Sequence, residues 1–180
     1  HFSQVQQGSG PPGDVPVAGH FDNDINADAT VYRPLAGEWL IRSTETGTTR
    51  SVRFGLAEDL PSPGDFDGDQ VDDIAVFRPS NGTWYILNSA DSSVRIAKFG
   101  LSEDRPVVGD YDGDRRDDIA IYRPSLGDWY YFKSSTNSAV GLHFGAGTDV
   151  AVPADYDGDG KTDVAVWRPE TGTWYMYQSF

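Results

Sequence analysis

The chain has 180 residues, no cysteine, and 28 Asp and Glu against 14 Lys and Arg, for a formal net charge of −14. That balance repels polyanions and argues against nucleic acid as a partner, and the missing thiols exclude disulfides, thiolate metal sites and a cysteine nucleophile. With 38% hydrophobic and 13% aromatic residues, 20 glycines and 11 prolines, the composition fits a globular chain of short strands and turns, and no apolar run approaches the ~20 residues that span a bilayer.

The first residues, His1-Phe2-Ser3, show neither an initiator Met nor a basic-then-apolar leader, so the chain reads as processed or excised and without membrane insertion. Residues Phe2 to Gly10 have the register of an outer strand, because Gly10 falls one period before Gly55, Gly100 and Gly145. From there on the chain repeats itself. Trp39, Trp84, Trp129 and Trp174 are each 45 residues apart, and Arg-Pro recurs with the same step at 33-34, 78-79, 123-124 and 168-169. Phe-Gly stands at 54-55, 99-100 and 144-145, and acidic runs at 65-73, 110-118 and 155-163, with a degraded version at 20-28. A period near 45 with strand-like content predicts propeller blades.

Within a unit, Pro106-Val107-Val108-Gly109 reads as a first strand and Ile119-Ala120-Ile121-Tyr122 as a second, with the acidic loop between them. Trp129 to Phe132 and Ala139 to Phe144 read as the third and fourth. In the second unit Asn81-Gly82 predicts a tight hairpin turn, and no segment sustains a helical period. The fold class is all-β: one domain, 1–180, forming a β-propeller of four four-stranded blades, with units at about 11–55, 56–100, 101–145, and 146–180 plus 1–10. The fourth unit stops after its third strand, so the N-terminal strand is expected to complete that blade and close the ring, which removes an open sheet edge. A fragment of a longer array, or two chains joined into a larger ring, is the alternative to a closed monomer.

The acidic loops have the chemistry of calcium sites. Calcium takes six to eight oxygens, and acids at alternate positions of a tight turn gather them around one point. The second unit offers Asp65, Asp67, Asp69 and Asp73 with the carbonyl of Val71; the third, Asp110, Asp112, Asp114 and Asp118 with the carbonyl of Arg116; the fourth, Asp155, Asp157, Asp159 and Asp163 with the carbonyl of Lys161. Gly68, Gly113 and Gly158 sit at position 4, where the turn needs a residue without Cβ. The first unit departs, with His20 at position 1 and Asn23 at position 4, leaving Asp22, Asp24, Asp28 and the carbonyl of Asn26 as a weaker or empty site. Simple solvated acidic turns are the bland alternative, but four carboxylates in nine residues repel one another without a cation. A helix-flanked calcium loop is disfavoured because position 12 is Val76, Ile121 or Val166 instead of Glu.

The pattern D-x-D-G-D-x-x-D-D before an apolar strand, with Phe-Gly elsewhere in the unit, resembles the FG-GAP or VCBS repeat across essentially the whole chain. Integrin α-subunit propellers of this type have seven longer blades, against four short ones here. The resemblance implies calcium in each strand-to-strand loop, an extracellular or cell-surface location, and a role in adhesion, ligand binding or as an accessory module of a larger secreted protein.

Two further readings of the repeated residues stand side by side. Arg33, Arg78, Arg123 and Arg168 with Trp39, Trp84, Trp129 and Trp174 would form clefts in which an indole stacks on a sugar and a guanidinium holds its hydroxyls or carboxylates, which makes a glycan or a cell-surface protein the expected partner. Alternatively Trp fills the gap between blades and Arg clamps an acid such as Glu58, Asp59, Glu103, Asp104 or Asp149 in a neighbouring turn. Catalysis is not expected: His1, His20 and His143 are the only histidines, and no nucleophile-base pair is visible. A lectin-like binding module, a structural calcium-stabilised module, and a polysaccharide-degrading domain are the three functional expectations, in that order.

Overall fold

The computed structural model describes residues 13–24 and 26–179. They form four small antiparallel sheets that follow one another as the blades of a β-propeller, with a single short 3-10 turn at Pro34–Ala36 as the helical content. The first blade holds β1 (Val15–Gly19), β2 (Asp28–Arg33), β3 (Glu38–Arg42) and β4 (Thr49–Arg53). The second holds β5 (Leu60–Pro61), β6 (Ile74–Arg78), β7 (Thr83–Leu87) and β8 (Val94–Lys98), and the third β9 (Arg105–Pro106), β10 (Ile119–Arg123), β11 (Asp128–Lys133) and β12 (Ser138–His143). The fourth has β13 (Val150–Ala151), β14 (Val164–Arg168) and β15 (Thr173–Tyr177). The expected closing strand, Phe2 to Gly10, lies outside the described residues.

Each sheet is a meander with neighbouring strands paired in sequence order. Two local expectations change. The first strand of blades two to four is a two-residue pairing followed by an isolated bridge, Gly64 to Asp73, Gly109 to Asp118 and Ala154 to Asp163, because the chain leaves the ladder to build the acidic loop. The Asn81-Gly82 hairpin is a four-residue connection: Arg78 pairs with Thr83, and Gly82, at φ 64°, returns its N–H to the Arg78 carbonyl at 2.9 Å. Asn-Gly supplies the left-handed residue but not the two-residue turn.

The core sits between blades. In β6, Ile74 and Val76 face the first blade, where they meet Phe21, Tyr32, Trp39 and Ile41. Ala75 and Phe77 face the third, where they join Phe66, Trp84, Ile86, Ile119 and Ile121. The third joint repeats this with Tyr111, Tyr122 and Trp129 against Val164 and Val166. A second strand buried on both sides explains why Ile-Ala-Val-Phe and Ile-Ala-Ile-Tyr are continuous apolar runs without polar alternation.

The Phe-Gly pairs have a geometric cause. Trp39, Trp84 and Trp129 donate their indole N–H to the carbonyls of Phe54, Phe99 and Phe144 at 2.9, 2.9 and 2.8 Å. The glycines that follow, Gly55, Gly100 and Gly145, have φ of 117°, 134° and 136°, and a Cβ on Gly100 would stand 2.9 Å from the Phe77 ring. Backbone angle and ring together exclude any side chain there.

Candidate metal centres

The loop between the first and second strands of each blade brings carboxylates to one point. Oxygen atoms of Asp22, Asp24 and Asp28 lie within 4.8 Å of one another, as do those of Asp65, Asp67 and Asp69, of Asp110, Asp112 and Asp118, and of Asp155, Asp157 and Asp163. The first loop therefore converges despite His20 at position 1, through the acids at positions 3, 5 and 9.

The carboxylates have different jobs. Position 1 shapes the loop: Asp65 accepts the N–H groups of Gly68, Asp69 and Gln70, and Asp110 those of Gly113, Asp114 and Arg115. The tight return runs through left-handed backbone at position 4, Gly68 and Gly113 at φ 84° and 80°, and again at position 6, Gln70 and Arg115 at 72° and 68°. Position 9 ties the loop to the rest of its blade. Asp73 accepts the Phe66 N–H on one oxygen and the Ser89 N–H on the other, and Asp118 does the same with Tyr111 and Ser134, Asp163 with Tyr156 and Ser179, and Asp28 with Phe21 and Thr44.

Serine hydroxyls complete the arrangement. Ser89 donates to Asp69 at 2.9 Å, Ser134 to Asp114 at 2.7 Å, and Ser179 to Asp159 at 3.1 Å. These residues escaped the sequence reading, although their 45-residue step is as regular as that of the tryptophans.

A cation fits this donor set. Asp24 Oδ2 and Asp112 Oδ1 are buried with no hydrogen-bond partner, one in the first loop and one in the third. A buried carboxylate oxygen left without a partner is costly, and a hard dication is what such an oxygen lacks. The protons report the same strain: burial pushes Asp73 and Asp118 up to about 6, with the charges of Asp67 and Asp112 adding to it. Burial and the neighbouring acids Asp69 and Asp65 also raise Asp67. A set of hard oxygens with no sulfur or imidazole selects calcium over a transition metal. Asp22, Asp24 and Asp28 with the Asn26 carbonyl, and in the other blades the acids at positions 1, 3, 5 and 9 with the carbonyls of Val71, Arg116 and Lys161, are the residues that would hold it.

The Trp and Arg positions lie elsewhere. Trp39 and Trp84 are 0% exposed and Trp129 is 1%, inside the cores between blades, while Trp174 is 51% exposed. Arg78, Arg123 and Arg168 each grip a buried carboxylate two-handed, Asp59, Asp104 and Asp149, through Nε at 2.7 to 2.8 Å and Nη2 at 2.8 to 2.9 Å. Tyr85, Tyr130 and Tyr175 lie under those guanidinium groups at 4.2, 4.8 and 4.6 Å. Arg33 is held more loosely, by Asp14 at 3.2 Å and Glu38 at 3.5 Å. The three buried indoles thus offer no face to a sugar, and the guanidinium donors are engaged with Asp.

No helix among the described residues is long and apolar enough to cross a membrane. No curated protein matches the chain. Residues 65–121, which run from the second acidic loop through the third and into β10, match the family model described as an FG-GAP-like repeat. The matched span contains Phe99-Gly100 and two of the acidic loops, and the same elements recur at the same step in the other blades, with His20 at position 1 of the first loop; the chain is a β-propeller in which residues 65–121 are similar to the FG-GAP-like repeat.

Proposed function

We propose that the chain is an extracellular, calcium-stabilised binding module without catalytic activity. One observation carries the calcium assignment: acidic loops that gather three carboxylates within 4.8 Å and leave buried oxygens of Asp24 and Asp112 unpartnered. An extracellular setting supplies calcium at the level that loops of this kind need, about 0.1 to 1 mM. The clustered carboxylates are committed to the loops, and Asp59, Asp104 and Asp149 to arginine, which supports binding over chemistry. A glycan or a cell-surface protein remains the proposed partner class, but the three buried tryptophans withdraw most of the aromatic surface that a sugar would stack on. A structural, calcium-held spacer in a larger secreted protein is the second reading, favoured by that burial.

Calorimetric titration with calcium tests the assignment, with Asp112→Ala as the diagnostic variant. The expected result is one site fewer in the variant, and a fall in Tm on chelation of roughly 10 to 20 °C for the parent protein, since each of three sites of about 0.1 mM contributes about 1.8 kcal/mol at about 2 mM calcium. No heat of binding and an unchanged Tm would overturn it. A glycan array run in calcium then separates the binding module from the spacer.

A further inference from the structure

The geometry points to a head-to-tail joint between two copies of this chain, made by the open face of the fourth blade and the open face of the first. The inference is independent of the calcium assignment and rests on the repetition of one interface.

At each of the three joints, the leading blade presents an aromatic at loop position 2, two side chains of its second strand and two of its third. In the second blade these are Phe66, Ala75, Phe77, Trp84 and Ile86. The trailing blade answers with two branched residues of its second strand, Ile119 and Ile121. In the fourth blade the leading set is Tyr156, Ala165, Trp167, Trp174 and Met176, one or two periods on from its counterparts. The trailing set of the first blade is Ala29 and Val31, with Leu40 beside them.

Among the described residues most of both sets is left uncovered, although Ala165 is buried and Trp167 half-buried. Trp174, Met176 and Tyr156 are 51%, 49% and 41% exposed, where Trp84, Ile86 and Phe66 are 0%, 0% and 3%. Ala29 is exposed and Val31 half-buried, where Ile74 and Val76 are buried. Two finer marks of a made joint agree. The N–H groups of Asp72, Asp117 and Thr162 donate to the carbonyls of His20, Asp65 and Asp110 in the preceding blade at 2.6 to 2.7 Å. The matching pair, Ala27 and Asp155, makes no such bond among the described residues. Gly68 and Gly113 are covered by the side chains of Arg116 and Lys161 from the next blade, whereas at Gly158 no heavy atom of the described residues lies within 4 Å of a Cβ placed on it.

A face built to the pattern of a joint that forms three times in the same molecule is complementary to the opposite end of another copy. The contact is heterologous, so it closes only if the rotation per blade returns the chain to its start. Two copies give eight blades, within the four to eight that propellers adopt, and three copies exceed it. The assembly is therefore a two-copy ring with two identical joints.

Native mass spectrometry and sedimentation of the 180-residue chain in calcium test the proposal, with the expected species at twice 19.7 kDa. Trp174→Glu removes the leading face and Val31→Glu the trailing face, so each variant alone is expected to stay single. An equimolar mixture is expected to form a one-to-one pair, because one variant keeps the face that the other needs. Iodide quenching of indole fluorescence gives a measurement that needs no variant: Trp174 is expected to become protected as concentration rises through the association range. A parent chain that stays single at 100 µM would overturn the proposal, as would either variant pairing with itself or quenching that ignores concentration. A single chain with Trp174 already shielded would instead place the N-terminal segment or the first blade of the same copy on that face, and would equally overturn it.

Discussion

The carboxylate of Asp117, on the third blade, accepts the backbone N–H of Asp65, on the second, at 2.9 Å, and the N–H of Asp117 returns a bond to the Asp65 carbonyl at 2.7 Å. This pair bolts one acidic loop to the next. It also puts an acid where burial, together with Asp72, Asp65 and Asp110, pushes it up to about 7.

A pH dependence follows from that shift. The unfolded carboxyl titrates near 3.9, so between about pH 4 and pH 7 the folded chain holds a proton that the unfolded chain has lost, and stability falls as pH rises through that window. In chelator, Tm is expected to rise by a few degrees when pH is lowered from 8 to 6. Asp117→Asn, which keeps the acceptor and discards the charge, is expected to be the more stable protein at pH 8 and to lose most of this pH response. Differential scanning calorimetry across the range checks both signs.

The first loop offers a gain of function. His20 occupies position 1, where Asp65 and Asp110 hold three backbone N–H groups each. On the proposed calcium assignment, His20→Asp is expected to tighten binding at the first loop by about tenfold, a carboxylate being added to a set of hard oxygens. Titration calorimetry should show the low-affinity phase of the parent protein merging with the others; an unchanged isotherm would mean that the loop backbone, not the ligand set, limits that site.

Gly100→Ala tests the reason for the Phe-Gly pair. The substitution forces an L residue to φ 134° with its Cβ against the Phe77 ring, and a loss of about 2 kcal/mol or more is expected by urea denaturation. Gly158→Ala, free of contacts but also at positive φ (82°), should cost less.

Arg123→Met distinguishes a clamp from a ligand site. Asp104 is 0% exposed, and removing its two-handed partner leaves a buried carboxylate unpaired. The expected cost is about 3 kcal/mol, measurable in denaturant, with much of it recovered in the double variant carrying Asp104→Asn. A stable single variant that lost binding to a glycan would reverse the reading.

Much of this architecture was legible in the residues because each 45-residue unit repeats without insertion. The spacing of Trp39, Trp84, Trp129 and Trp174 announced the blades, and the acids at positions 1, 3 and 5 announced the loops. Two things were not. Position 9 was legible only as one more ligand, yet Asp73 and Asp118 also accept backbone N–H groups in two different turns, a second role that depends on a contact 16 residues away. The indoles looked equally suited to a cleft or a core, since an aromatic ring with a polar edge serves both; burial against β10 or β14 is a fact of the neighbouring blade, which no single unit encodes.

The bond from Asp73 to Ser89, and its counterparts in the other blades, stays inside one unit, so a blade carries its own acidic loop and its own latch in a single continuous stretch of 45 residues. At the level of the gene, an unequal crossover that adds or drops one period would transmit a whole cation pocket with its hairpin. The array can grow or shrink across generations without ever passing through half a pocket.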